Sequence, residues 1–143
     1  WIRPPEHMKT KRTHMVPLSD RCIALLREMQ PFADGPNSHV FKGLRGGLSS
    51  SALEMALRRT GHKEGVTVHG FRSAFRDWAG DQTSFQREVV EGCLAHAIGD
   101  KVEAAYRRSD ALEKRGLVVQ SWTDFCGAVP QKNVVSLTRK GRP

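Results

Sequence analysis

The side chains in this sequence that could do chemistry are basic ones, imidazoles and a single phenol. Between Thr67 and Asp81 the chain reads T-V-H-G-F-R-S-A-F-R-D-W-A-G-D. At about 100° per residue, Phe71, Ala74, Phe75 and Trp78 fall on one side of a short helix, the pattern of a core face. His69, Arg72, Ser73 and Arg76 fall on the other side. An imidazole and two guanidiniums therefore stack one above another on an anchored helix, which suits holding a multiply charged anion. Three further elements stand with them. His96 lies in L-A-H. Tyr106, the one tyrosine of the chain, is followed by Arg107 and Arg108. Lys9, Lys11 and Arg12 cluster near the N-terminus. Singly, each has an ordinary explanation: a solvated charged face, a histidine at a helix end, a boundary aromatic. Yet the short, polar surroundings of Tyr106 are a poor context for a core ring.

The elements that must position these groups read as mainly helical. Residues 1–18 suit an extended hairpin, because Pro4 and Pro5 exclude helix, with the basic cluster as its turn. Ser19 can cap a helix to about Gln30 with Cys22, Ile23, Leu26 and Met29 inward. A loop follows over 31–38, a short strand is expected at 39–41, and K-G-L-R-G-G reads as a flexible turn. Ser51 and Glu54 form a capping box for a helix that Gly61 closes. Thr83 with Gln86 repeats the device before a helix with Phe85, Val89, Cys93 and Leu94 apolar. Asp100 with Glu103 opens a short helix carrying Tyr106. Asp110 with Glu113 opens the last long helix, with Val118, Val119, Trp122, Phe125 and Cys126 apolar. The expected class is mainly α with a small antiparallel hairpin, α+β, with room for a third strand at one edge.

A length of 143 residues suits one domain with a real core. The net charge of +8 favours a polyanionic partner, nucleic acid ahead of anionic membrane. No apolar run is long enough to span a bilayer, and the start W-I-R-P-P-E is not a signal peptide. Cys22, Cys93 and Cys126 form no C-x-x-C pair, so neither zinc nor a disulfide framework is expected. They read as buried free thiols of a cytoplasmic protein. The tail from residue 128 to 143 is basic and reads as mobile or docked on a neighbour.

In order and spacing, H-G-F-R, L-A-H and A-A-Y-R-R-S-D resemble the H-x-x-R, L-G-H and tyrosine boxes of the tyrosine recombinases, the phage-type integrases. M-K-T-K-R-T-H-M-V-P-L-S, H-G-F-R-S-A-F-R-D-W, V-V-E-G-C-L-A-H and V-E-A-A-Y-R-R-S-D-A-L-E-K-R look closest to the integrases of P4-like prophages and genomic islands. The resemblance covers residues 1–127 and implies the C-terminal part of that family's catalytic domain. It implies strand cleavage of duplex DNA at attachment sites through a 3′-phosphotyrosyl link, without metal or cofactor. Carried over, Tyr106 is the nucleophile and Arg72 clamps the phosphate oxygens. His69 is a general base or phosphate partner, and His96 donates a hydrogen bond to the phosphate. Lys9, with Lys11 as the other candidate, protonates the leaving 5′-oxygen. Lys11, Arg12, Arg76 and Arg107 are expected to contact DNA. The resemblance further implies a homotetramer on DNA that exchanges C-terminal segments, at the bacterial nucleoid.

One departure stands out. The family's T-G-x-R-x-x-E box, which supplies a second arginine, is absent; Thr60-Gly61-His62-Lys63-Glu64 is only an echo. The chain is therefore expected to be N-terminally truncated and inactive, or nearly so, by itself. A non-catalytic DNA-binding module or decayed prophage remnant is the alternative reading. A type IB topoisomerase and an unrelated helical protein rank below it.

Overall fold

Three helices carry the core of this computed structural model, and two short ribbons lie outside it. The structure describes residues 1–43, 46–61, 65–96 and 111–128. In chain order it has β1 (Ile2–Arg3), a 3-10 turn (Pro5–His7), β2 (His14–Met15), α1 (Asp20–Met29) and a second 3-10 turn (Gln30–Phe32). There follow β3 (Lys42–Gly43), β4 (Gly46–Gly47), α2 (Ala52–Arg59), α3 (Gly70–Gln82), α4 (Arg87–Cys93) and α5 (Leu112–Gly127). The described residues are mainly helical with a small antiparallel pair, β1–β2, as the sequence led us to expect; a second pair, β3–β4, lies where a flexible turn was expected. Among the described residues, no third strand joins the first pair. The segment expected to be a strand at 39–41 is not one.

The first ribbon pairs Ile2 with Met15 and Arg3 with His14. Trp1 and Val16 extend it by exchanging backbone bonds of 3.0 and 2.8 Å. The basic cluster lies in the connection between its strands. Pro5 does not exclude helical geometry there: it opens the 3-10 turn, where its fixed φ fits the first position and its missing N–H costs nothing. In the second ribbon a Cβ on Gly43 would come within 2.6 Å of the Gly47 carbonyl oxygen, so that close pairing needs glycine.

The core is the meeting of α3, α4 and α5. Phe75, Trp78 and Ala79 of α3, Val89 and Val90 of α4, and Val118 of α5 are buried together. Trp122 joins them, with its ring edge-on to Phe75 at 5.6 Å and 5.1 Å from Trp78 between centroids. Phe125 closes the group, 5.7 Å from Trp78. Such contacts add to the large apolar area that each ring removes from water. The apolar stripe of α3 therefore starts one turn later than its periodicity suggested. Phe71 is 53% exposed and Ala74 is also exposed, because the packing of α4 and α5 begins at the level of Phe75.

The other helices form as expected but pack less. Ser19 caps α1, its Oγ accepting from the Cys22 N–H, yet no residue of α1 is buried. Gly61 follows α2 with φ +84°, as a closing glycine should. The capping boxes at Ser51 and Thr83 are not made, and the last helix has Ala111, not Asp110, at its N-cap position. Ser51 itself sits in the helical region, so its hydroxyl meets Ser49 instead of the helix N–H groups. Thr83 donates back to the Ala79 carbonyl and accepts from Phe85, so α4 starts only at Arg87. The cysteines are free, but none is fully buried: Cys22 and Cys93 are half-buried and Cys126 is exposed. Burial pushes the Cys93 thiol up to about 11, with Arg115 opposing, which leaves it unreactive near neutrality.

Candidate active site

Two helix ends bring the site together. At the first, the turn before α3 is tied by Thr67, whose hydroxyl and carbonyl oxygens each accept from the Gly70 N–H at 3.0 Å. A Cβ on residue 70 would press on that hydroxyl at 3.2 Å, which accounts for the glycine in H-G-F-R. His69 sits at the N-cap position and Arg72 lies in the first turn, both exposed.

At the second, α4 ends in a Schellman closure. The His96 N–H donates to the Glu91 carbonyl at 3.1 Å and the Ala95 N–H to the Gly92 carbonyl at 3.3 Å. The residue between helix and histidine must then be left-handed, and Ala95 has φ +55°. Glycine takes that conformation without strain, which gives a physical reason for the glycine of L-G-H and marks Ala95 as a strained substitute. Beneath this end, the buried Arg115 donates from Nη1 to the Gly92 carbonyl at 3.3 Å. A cation there suits the negative end of the helix dipole.

These two ends meet. Arg72 Nη2 carries two hydrogens, and it donates to both His96 Nε2 and the Leu94 carbonyl, each at 2.8 Å. On the far side of the ring, His96 Nδ1 lies 2.5 Å from Glu91 Oε2. The other Glu91 oxygen accepts from Arg76 Nε at 2.9 Å, with Arg87 at 4.0 Å. The Glu91 side chain is only 13% exposed, against 46% for His96. The hydrogen bond from His96 lowers the carboxyl's pKa most. Burial opposes it, and the charges of Arg76 and Arg87 lower it further. The result is an open face on which a guanidinium and an imidazole stand side by side, backed by a sheltered carboxylate. A phosphate oxygen fits such a face chemically, since guanidinium can grip it through two N–H groups.

Of the residues singled out in the sequence, Arg72, His96 and Arg76 are brought together. His69 stands one turn from Arg72, with no side-chain partner among the described residues. Lys9, Lys11 and Arg12 are exposed in the β1–β2 connection and bond to none of this cluster among the described residues. Tyr106 and Arg107 lie outside the described residues, as do the expected helix around them and the tail beyond 128. Glu91 and Arg115 were missed. Glu91 did leave a signal: a carboxylate in the last turn of a helix opposes the dipole, so it asks for cationic partners.

Over most of its length the chain is similar to phage and prophage integrases. It is 34% identical over 137 residues to prophage integrase IntA of Escherichia coli K12, covering 94% of this chain and 33% of that protein. It is 32% identical over 124 residues to the integrase of enterobacteria phage P4, covering 82% of this chain and 28% of that protein. With prophage integrase IntZ of E. coli K12 the identity is 32% over 128 residues, 88% of this chain and 31% of that protein. The chain spans about a third of the length of the curated relatives it matches. No family model and no solved structure matches it. These relatives bear out the resemblance to P4-like prophage integrases. Among the described residues, no helix is long and apolar enough to cross a membrane.

Proposed function

We propose that this chain carries part of the phosphate site of a site-specific DNA recombinase that cuts and rejoins strands through a 3′-phosphotyrosyl link. The observation that supports this reading best is the 2.8 Å contact between Arg72 and His96, which joins the H-G-F-R and L-A-H boxes on one open face. In this reading the Tyr106 oxygen attacks the phosphorus as the bond to the 5′-oxygen breaks. A phenol with pKa about 10 is a weak nucleophile at neutral pH, so the phosphate must be polarised. Arg72 clamps its non-bridging oxygens, where charge develops. His69 takes the phenolic proton or holds the phosphate, and His96 holds another oxygen. Lys9, or Lys11 beside it, returns a proton to the 5′-oxygen. The phosphotyrosyl bond preserves the energy of the broken one, so a second 5′-hydroxyl can reverse the step and strands are exchanged. No metal or cofactor is required.

The partner is duplex DNA at attachment sites, with Lys11, Arg12, Arg76 and Arg107 on its phosphates. Four copies assemble on it in the longer protein, with residues 128–143 as an exchangeable tail. The 143 residues contain no T-G-x-R-x-x-E box, so by themselves they form little covalent product.

A duplex nicked beside the cut site traps the adduct by letting the leaving strand diffuse away. We expect a Tyr106-dependent adduct when the chain is joined to an upstream segment carrying the arginine box. Little adduct is expected from the chain alone. An adduct that survives Tyr106→Phe, or none from either protein while DNA is still bound, contradicts the reading; the latter favours a non-catalytic DNA-binding module.

A further inference from the structure

We propose that Glu91 is a positioning residue of this site: it fixes His96 in the Nδ1–H tautomer and aims Nε2 at the place where Arg72 receives a phosphate. The proposal rests on reading Arg72 and His96 as phosphate ligands. The tautomer follows from donor arithmetic. Guanidinium has no acceptor, so the nitrogen facing Arg72 must offer a lone pair. The proton of the neutral ring is then on Nδ1, and it points into the carboxylate of Glu91. Which ring nitrogen is protonated is set by the bond that the other one makes. Glu91 holds the histidine twice, through its carbonyl to the His96 N–H and through its carboxylate to the ring. Its own orientation is fixed by Arg76 on the remaining oxygen.

This arrangement has a consequence for ligand entry. At rest, Nε2 is closed upon Arg72 and can donate to nothing. To hold a phosphate oxygen it must gain a proton, taken from solvent, while Nδ1 keeps its own. The imidazolium so formed is opposed by Arg72 and Arg76 of α3 and by Arg87 of α4. Among the described residues, the one anion bonded to this cluster that supports it is Glu91. Glu91 thus does two things: it sets the resting tautomer, and it makes the ring's conversion to a double donor affordable when an anion arrives.

The test is the ¹⁵N spectrum of the His96 ring in the 143-residue chain, without and with a short DNA duplex. The free chain should show a protonated Nδ1 and a bare Nε2, and the duplex should convert the ring to the doubly protonated form. Glu91→Ala should lose the Nδ1–H preference and bind the duplex about tenfold more weakly, the equivalent of one charge-assisted hydrogen bond. Glu91→Gln still offers an oxygen to Nδ1–H, so it should keep the resting tautomer but resist conversion by DNA. It decides the matter if Glu91→Ala fails to fold. A free ring protonated at Nε2, or a folded Glu91→Ala with unchanged tautomer and binding, overturns the proposal. If Arg72→Ala leaves duplex binding unchanged, the phosphate reading fails instead, whatever the tautomer. If Arg72→Ala weakens binding while Glu91→Ala changes nothing, only the positioning role falls.

Discussion

Helices α3, α4 and α5 each bury side chains, whereas α1 and α2 bury none. The first group interlocks four aromatic rings and two valines of α4. The second leaves Leu53 at 61% exposure and Leu25 at 40%, and it is joined to the core by contacts such as the Asp20 N–H on Gln120. The two regions differ in kind as well as in degree. Arg72 and His96 stand on the packed region, so their spacing is set by helix ends that the core holds still. Lys9 stands on a ribbon two residues long per strand, a piece of structure with little local stability. In the proposed reading, this division would give the phosphate ligands a rigid base and the lysine an adjustable arm.

The sharpest way to break that comparison is to truncate one side chain in each region. Trp78→Ala should cost about 3–5 kcal/mol in urea unfolding, as large aromatic truncations in a core do. Leu53→Ala should stay within about 0.5 kcal/mol, as exposed substitutions do. Equal effects would mean that the two regions are one cooperative core. Acid sharpens the comparison next. The Glu91 carboxyl is held below its ordinary pKa in the folded state, so its contribution is present above the unfolded carboxylate range and is lost as pH falls through the folded value. Stability should therefore drop as pH falls below about 4, and Glu91→Gln should flatten that drop. A smaller effect than that of Trp78→Ala is expected at Ala95. Replacing it by glycine removes left-handed strain at the price of a looser unfolded chain, for a net gain of about 1 kcal/mol or less. A loss of stability would contradict the closure described for α4.

Much of the helical order was legible in the residues. Ser19 capped the helix it announced, Gly61 ended α2, and the face of His69, Arg72 and Arg76 is exposed as its periodicity required. Periodicity did not reveal which end of α3 meets neighbours, so Phe71 and Ala74 were assigned to a core that begins at Phe75. The capping boxes failed because a Ser or Thr with an acidic or amide partner three residues on fixes composition, not dihedral angle, and Ser51 lies in the helical region. The site was legible as boxes, through likeness to a family. Its geometry was not, because a contact across 24 residues of sequence depends on how α3 and α4 pack. Most of what Glu91 does was hidden for the same reason: Arg87 is a turn away on its own helix, but Arg76 sits on another helix and His96 beyond its own helix's end.

The central claim is that Arg72 and His96 receive one DNA phosphate between them. The most direct measurement follows the Arg72 guanidinium and His96 ring resonances while a short duplex is titrated into the labelled chain. The account predicts that both move together, along one saturation curve that weakens steeply with salt. Saturable duplex binding seen elsewhere in the chain, with both of these side chains unmoved, would contradict it.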